Sequence, residues 1–216
     1  MTDEQLKRLF DAVREVKGTK LTERDVGLIN AALAGEAPVQ EIDRAAFFAK
    51  VRSAFGPLRQ AQVDGFNTLL DAMKAWPVTY TAYGLATAWH ETAHTMQPIA
   101  EYGKGKGRPY GKPGRNGGQA PYGRGYVQLT WDDNYERADR ELGLNGALIA
   151  DYDKAMEPDI AAAIMVRGMQ EGWFTGKKLS NYLPGDYINA RRVINGVDKS
   201  AMIAGYARAF EKALTA

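Results

Sequence analysis

The chain of 216 residues has no cysteine and only two histidines, His90 and His94. The first absence excludes disulfides, thiolate metal sites and a cysteine nucleophile. The second limits any histidine-based metal site to one pair, which would have to recruit a carboxylate as third ligand. No run approaches the ~18 consecutive apolar residues of a membrane span. The opening stretch "MTDEQLKRLFDAV" is charged and amphipathic where a secretory signal would carry an apolar block. The expectation is therefore a soluble protein made in the cytoplasm, with no stable membrane insertion. A large charge of either sign is missing too: 28 Lys+Arg against 26 Asp+Glu leave +2, too little to argue for nucleic acid as a partner.

Helical punctuation fills most of what is present. Thr2 with Gln5 heads an apolar set at Leu6, Leu9, Phe10 and Val13, and Thr22 with Asp25 heads a second set through Leu28, Ile29 and Leu33. Gly35 to Pro38 marks a boundary, so residues 1–37 read as a helical appendage and 38–216 as the main domain. "DRAAFFAKVRSAF" predicts a helix stopped by Gly56-Pro57, and "LRQAQVDGFNTLLDAM" another closed by Trp76-Pro77. A third is expected from about Thr79 to Met96, with Tyr83, Leu85, Ala86 and Trp89 on its buried side and Pro98 ending it. Further helices are expected from Thr130 through "WDDNYERADREL", over Lys154–Gln170, Ile188–Ile194 and Ser200–Leu214, and "YVQLT" reads as a short extended segment. The class is mainly α with at most a minor β element.

Glycine and proline concentrate in "YGKGKGRPYGKPGRNGGQAPYGRG". A loop of that length inside a domain is a functional surface or a linker between domains. Between Tyr102 and Arg124 it carries Lys104, Lys106, Arg108, Lys112, Arg115 and Arg124 and no acid. Such a run suits an anionic partner, or is a solvated basic loop.

The stretch "WHETAH", Trp89 to His94, bears two chemistries. As H-E-x-x-H on a helix, it puts two imidazoles one turn apart with Glu91 as general base of a zinc peptidase, which still needs a third ligand such as Glu101. Alternatively Glu91 is a single working acid, His90 orients a neighbouring polar group and binds near the substrate, and His94 is a half-buried helix residue. Inverting hydrolysis of a glycosidic bond needs one protonated carboxyl and one ionised carboxylate about 6.5–9.5 Å apart. Glu91, beside Trp89 and small residues, sits where apolar burial would keep its proton. Glu101 would be about 15 Å away were the helix continuous at 1.5 Å per residue. A turn at Pro98 is needed to bring it back.

"WHETAH", a second glutamate in the following loop, "YGRGYVQLTWDDNY" and "VINGV" occur in that order and together resemble the family 19 glycoside hydrolases, the chitinases and related phage endolysins of the lysozyme superfamily. The resemblance spans roughly residues 80 to 210. It implies a two-lobed lysozyme-like domain with a central cleft. It also implies Glu91 as general acid, Glu101 as general base and Thr130 as a holder of the attacking water. Gln128, Asn134 and Asn195 would bind the sugar, and Tyr122 and Arg124 would shape the cleft. The same amide and glycine positions also suit purely local roles, as helix caps and turn formers. Three departures stand out. The two glutamates are closer in sequence than in plant chitinases, the plant cysteines are missing, and the arginine that plant members carry after Ile-Asn-Gly has no counterpart, Met202 falling there.

These departures favour a bacterial or phage muralytic enzyme over a plant-type chitinase. The expected activity is cleavage of β-1,4 linkages of peptidoglycan without metal or other cofactor, by a monomer that reaches the wall through a holin, by lysis or by another export route. Three rivals stay open: a chitinase on the same scaffold, an HExxH zinc metallopeptidase, and a non-catalytic cell-wall-binding module.

Overall fold

The computed structural model describes Lys7, Asp11 and residues 42–216. The two expected N-terminal helices and the Gly35 to Pro38 boundary lie outside the described residues. Ile42–Met73 and Pro77–Ala216 together make one compact unit.

Helix α1, Arg44–Phe55, starts where the Asp43 carboxylate accepts from the Ala46 amide at 2.9 Å and stops at Gly56, whose φ of 89° suits a residue without Cβ. After α2, Gln60–Ala72, comes α3, Val78–Glu91. Every side chain from Thr81 to Trp89 is buried, so α3 is enclosed on all sides and not only on the Tyr83–Trp89 stripe expected. A helix apolar all round belongs inside a bundle. Here α7, Ser200–Leu214, and α1 and α2 are among its packing neighbours, and Trp89 lies against the rings of Phe55, Phe66 and Phe210 at 5.2, 5.9 and 6.3 Å.

Helix α3 ends at Glu91, five residues before the expected Met96. The Thr92 hydroxyl turns back to the Ala88 carbonyl at 2.7 Å and also accepts from the Met96 amide at 3.1 Å, which pulls Ala93, His94 and Met96 into left-handed backbone with φ of 49°, 66° and 54°. Helix α2 clamps this reversal from outside. Gln62 donates to the His94 carbonyl at 2.9 Å, Gln97 donates to the Ala61 carbonyl at 2.5 Å, and a Cβ on Gly65 would come within 1.7 Å of the Met96 oxygen. The chain then enters β1, Ile99–Ala100, antiparallel to β2, Arg124–Gly125, with Ile99 opposite Gly125. The extended segment expected at "YVQLT" is instead a turn from Tyr126 to Gln128 with an isolated bridge between Leu129 and Arg124.

Helix α4, Asp132–Leu142, begins one residue after Trp131, its N-cap at φ 73°, and not at Thr130 as expected. The short α5, Ala147–Ala150, leads to a 3-10 turn, Tyr152–Met156. Pro158 then opens α6, Pro158–Glu171, so the helix expected over Lys154–Gln170 is two elements: the proline's missing N–H is tolerated only in a helix's first turn. The expected Ile188–Ile194 helix is a 3-10 segment, Asn189–Val193. The observed class is mainly α with one two-stranded sheet among the described residues.

Candidate active site

The chain reversal after α3 does the work that the sequence left to Pro98. It carries Glu101 back so that Glu91, at the end of α3, and Glu101, just past β1, line one cleft of about 710 Å³. Thr130, Gln128, Asn134 and Asn195 line it as well. Six of the nine residues singled out from sequence are thus brought together.

Glu101 is held by its own backbone. Its amide donates to the Gly123 carbonyl at 2.7 Å, and the Gly123 amide reaches back to Glu101 Oε2 at 3.4 Å. Gly123 is packed so closely on Gln128 that a Cβ would lie 2.8 Å from Gln128 Oε1. Gln128, in left-handed backbone at φ 55°, donates to the carbonyls of Ile99 and Gly125 at 3.2 and 3.3 Å, tying the turn to both strands. Asn134 donates to the Thr130 carbonyl at 2.8 Å, and the Asn195 side-chain oxygen accepts from the Gly196 amide at 2.8 Å. These amides thus have local partners and border the cleft at once.

Glu91 does not have the apolar surroundings expected of it. Its Oε1 accepts a 2.5 Å hydrogen bond from the Arg191 guanidinium, with the arginine side chain 4% exposed and the glutamate 16%. Arg191 does not stand where the family resemblance puts an arginine, after Ile194-Asn195-Gly196. The guanidinium comes from the "NARRV" turn before it, where Arg191 also accepts the Asn195 amide on its carbonyl at 3.0 Å. Met202 lies on α7, 40% exposed.

Three candidates lie outside the cleft lining. Arg124 is buried: its Nε donates to Asp153 at 2.7 Å and its NH1 to the carbonyls of Ala120 and Tyr122 and the Tyr135 hydroxyl. Tyr122 lies with its ring 3.6 Å from that guanidinium and its carbonyl accepting from Tyr135 at 2.7 Å. The pair fastens the end of the glycine-rich loop and shapes the cleft only indirectly. His90 is half-buried, and burial pushes its imidazole below the usual histidine range, with the nearby Glu91 carboxylate opposing the shift and Arg191 adding to it.

His94 falls outside the helix, with its ring stacked 4.7 Å from Trp89 and edge-on to Tyr206 at 5.8 Å. The one-turn spacing on a helix face that the zinc reading requires is therefore not formed.

The glycine-rich loop is no linker. Arg115 pairs with Asp133 and with Glu136 at 2.7 Å, Asn116 donates to Glu136 and to the Tyr152 hydroxyl at 2.8 and 2.7 Å, and Gln119 accepts from the Tyr152 amide at 2.8 Å. These bonds hold the Glu136 carboxyl down at about 2, Arg115 being the main cause. Further cleft residues went unnoticed in the sequence. Trp131 is 47% exposed, with Tyr110 edge-on at 5.4 Å, and Phe174, Lys177 and Arg192 come from the segments after α6. The only sequence signal for Trp131 was an aromatic at a helix start, which α4 explains as well.

The architecture is a mainly α, lysozyme-like fold of the kind found in family 19 chitinases. It is similar to chitinase C from Streptomyces griseus HUT6037, with a TM-score of 0.59 and 23% identity over 81% of this chain and 76% of that one. It is also similar to a bacterial family 19 chitinase, with a TM-score of 0.51 and 21% identity over 80% of this chain and 94% of the other. Comparison of the sequence with protein-family profiles and with curated proteins finds no match.

Proposed function

We propose that the chain is a glycoside hydrolase that cleaves β-1,4 linkages of the peptidoglycan glycan strand with inversion. The observation that carries this reading is the convergence of Glu91 and Glu101 on one cleft bordered by Thr130 and the amides of Gln128, Asn134 and Asn195. Two carboxyls lining one groove are what general acid and general base need, and amides that donate and accept suit hydroxyls and N-acetyl groups.

In this mechanism Glu91 gives its proton to the glycosidic oxygen as the bond to the anomeric carbon breaks. Glu101 takes a proton from a water that attacks the same carbon from the opposite face, with Thr130 helping to hold that water. The product carries the inverted configuration, and both carboxyls return to their starting states through solvent. Arg191 meets the negative charge that Glu91 acquires as the proton leaves, a cation set in place before the charge develops. His90, whose lowered pKa keeps it neutral at pH 7, adds no competing positive charge beside Glu91. The chemistry asks for no metal. Access to the wall through a holin, by lysis or by another export route belongs to the same proposal.

A second reading, chitin as substrate, is favoured by the likeness to the two chitinase folds. Reducing-end release from purified sacculi and from chitin, by wild type and by Glu91→Gln and Glu101→Gln, separates the two. Soluble fragments from chitin but not from sacculi would make the chain a chitinase. No new reducing ends from either would end the hydrolase reading and leave a wall-binding module.

A further inference from the structure

The chain leaves Glu101 through consecutive tight turns, residues 102–112, that close on themselves: a Cβ on Gly111 would fall 2.0 Å from the Gly105 oxygen. Tyr110 turns into the cleft against Trp131, which sets this loop at the cleft's edge. Its outer surface carries Lys104, Lys106, Arg108 and Lys112, all exposed and none with a carboxylate partner among the described residues. The contrast lies within the same stretch of chain. Arg115 and Arg124 have their carboxylates, supplied by α4 and by Asp153, whereas no acid occurs from residue 102 to residue 131 to neutralise the other four. Two more cations without a carboxylate partner among the described residues, Lys177 and Arg192, line the cleft itself.

Unpaired cations on a loop braced by backbone contact cost little to order when an anion arrives, because the loop does not have to be frozen first. A neutral polysaccharide would make no use of them. We propose that residues 102–112 form a rim that reads the free carboxylates of peptide stems branching from the glycan in the cleft, so that the stem-bearing strand is bound in preference to the bare one. This rests on the glycan-hydrolase reading for what occupies the cleft, and it adds the chemical feature that sets the substrate class.

The test uses the full-length Glu91→Gln protein, which holds polymer without cutting it, in sedimentation with purified sacculi across a range of NaCl concentrations. Three polymers are compared: intact sacculi, sacculi whose stem carboxylates have been converted to neutral amides, and chitin. The expected result is binding to intact sacculi about tenfold tighter than to the amidated ones at low salt, with the gap closing as salt rises. Adding Lys104→Gln, Lys106→Gln, Arg108→Gln and Lys112→Gln together should weaken binding to intact sacculi by the same factor and leave the amidated ones unaffected. Equal sedimentation of intact and amidated sacculi overturns the proposal. So does a loss of binding that follows only removal of phosphate-bearing wall polymers, which would make the ligand a phosphate. If the fourfold variant fails to fold, judged by its melting curve, the amidation arm decides alone. Wild-type turnover is scored separately, so an absence of reducing ends from every glycan defeats the hydrolase reading while the sedimentation result still judges the rim.

Discussion

Arg191 and Glu91 stand a hundred positions apart in the chain and are joined by a 2.5 Å hydrogen bond at the edge of the cleft. Both side chains are largely withdrawn from water. Arg191→Ala takes from the Glu91 carboxyl both its hydrogen-bond donor and the cation beside it, in poor solvent. Arg191→Ala is expected to lose about 3 kcal/mol of stability as well as most of its activity. Glu91→Gln, which keeps the shape and can still accept the hydrogen bond, should lose activity about a thousandfold or more and little stability. Thermal melts and reducing-end assays on the same preparations separate the two effects.

Glu101→Gln should reduce turnover by about 10² to 10⁴ with a smaller change in KM, because the proposed base acts on water and not on the sugar. Thr130→Ala should cost less, about tenfold, through one lost contact to that water. Equal kcat for wild type and Glu101→Gln would remove Glu101 from the mechanism.

His94→Gln and treatment with EDTA are both expected to leave turnover within about twofold of wild type, since the imidazole packs on Trp89 outside the cleft lining. Loss of activity with chelator, restored by zinc, would revive the metallopeptidase.

Gly65→Ala places a methyl group 1.7 Å from the Met96 carbonyl oxygen, and the neighbour is backbone, which cannot swing aside. The expected cost is about 3 kcal/mol, together with impaired turnover, because the displaced segment leads to Glu101. A melting temperature equal to wild type would show that α2 does not brace the reversal.

Acid should loosen the glycine-rich loop before the rest of the chain. Glu136 titrates at about 2 in the folded protein, below its ordinary 4.5, so the unfolded state binds more protons between those values. Its stabilisation is complete above pH 4.5 and is lost as pH falls toward 2. Arg115 is more than half exposed, so the contribution is small, about 0.5–1 kcal/mol. Hydrogen exchange over residues 112–120 should accelerate across that window in wild type and be nearly pH-independent, once corrected for intrinsic rates, in Glu136→Gln.

The legible parts of the fold were those with local causes. The helix over "DRAAFFAKVRSAF", its stop at Gly56-Pro57, and the last helix over Ser200–Leu214 rest on short-range signals, and they appear where the sequence put them. The early end of α3 was hidden because Thr92 stops the helix with a hydroxyl folded back on its own turn, in residues of ordinary helical composition. Charge was misread wherever tertiary structure supplied the partner. Arg124 reads as a surface cation and is buried on Asp153 and Tyr135, and Arg191 carries no mark in sequence of the glutamate a hundred residues away. The six cleft residues were legible through motif order, whereas the Trp131–Tyr110 pair required knowing that the loop returns to α4.

Nine residues separate the two glutamates, and that short tether is pinned to α2 at its midpoint. The spacing of the pair is therefore set by one short segment, and Arg191, whose carbonyl accepts from the Asn195 amide, fastens to its Glu91 end. A change in that tether, or in the α2 residues that hold it, therefore alters the placement of both carboxyls at once.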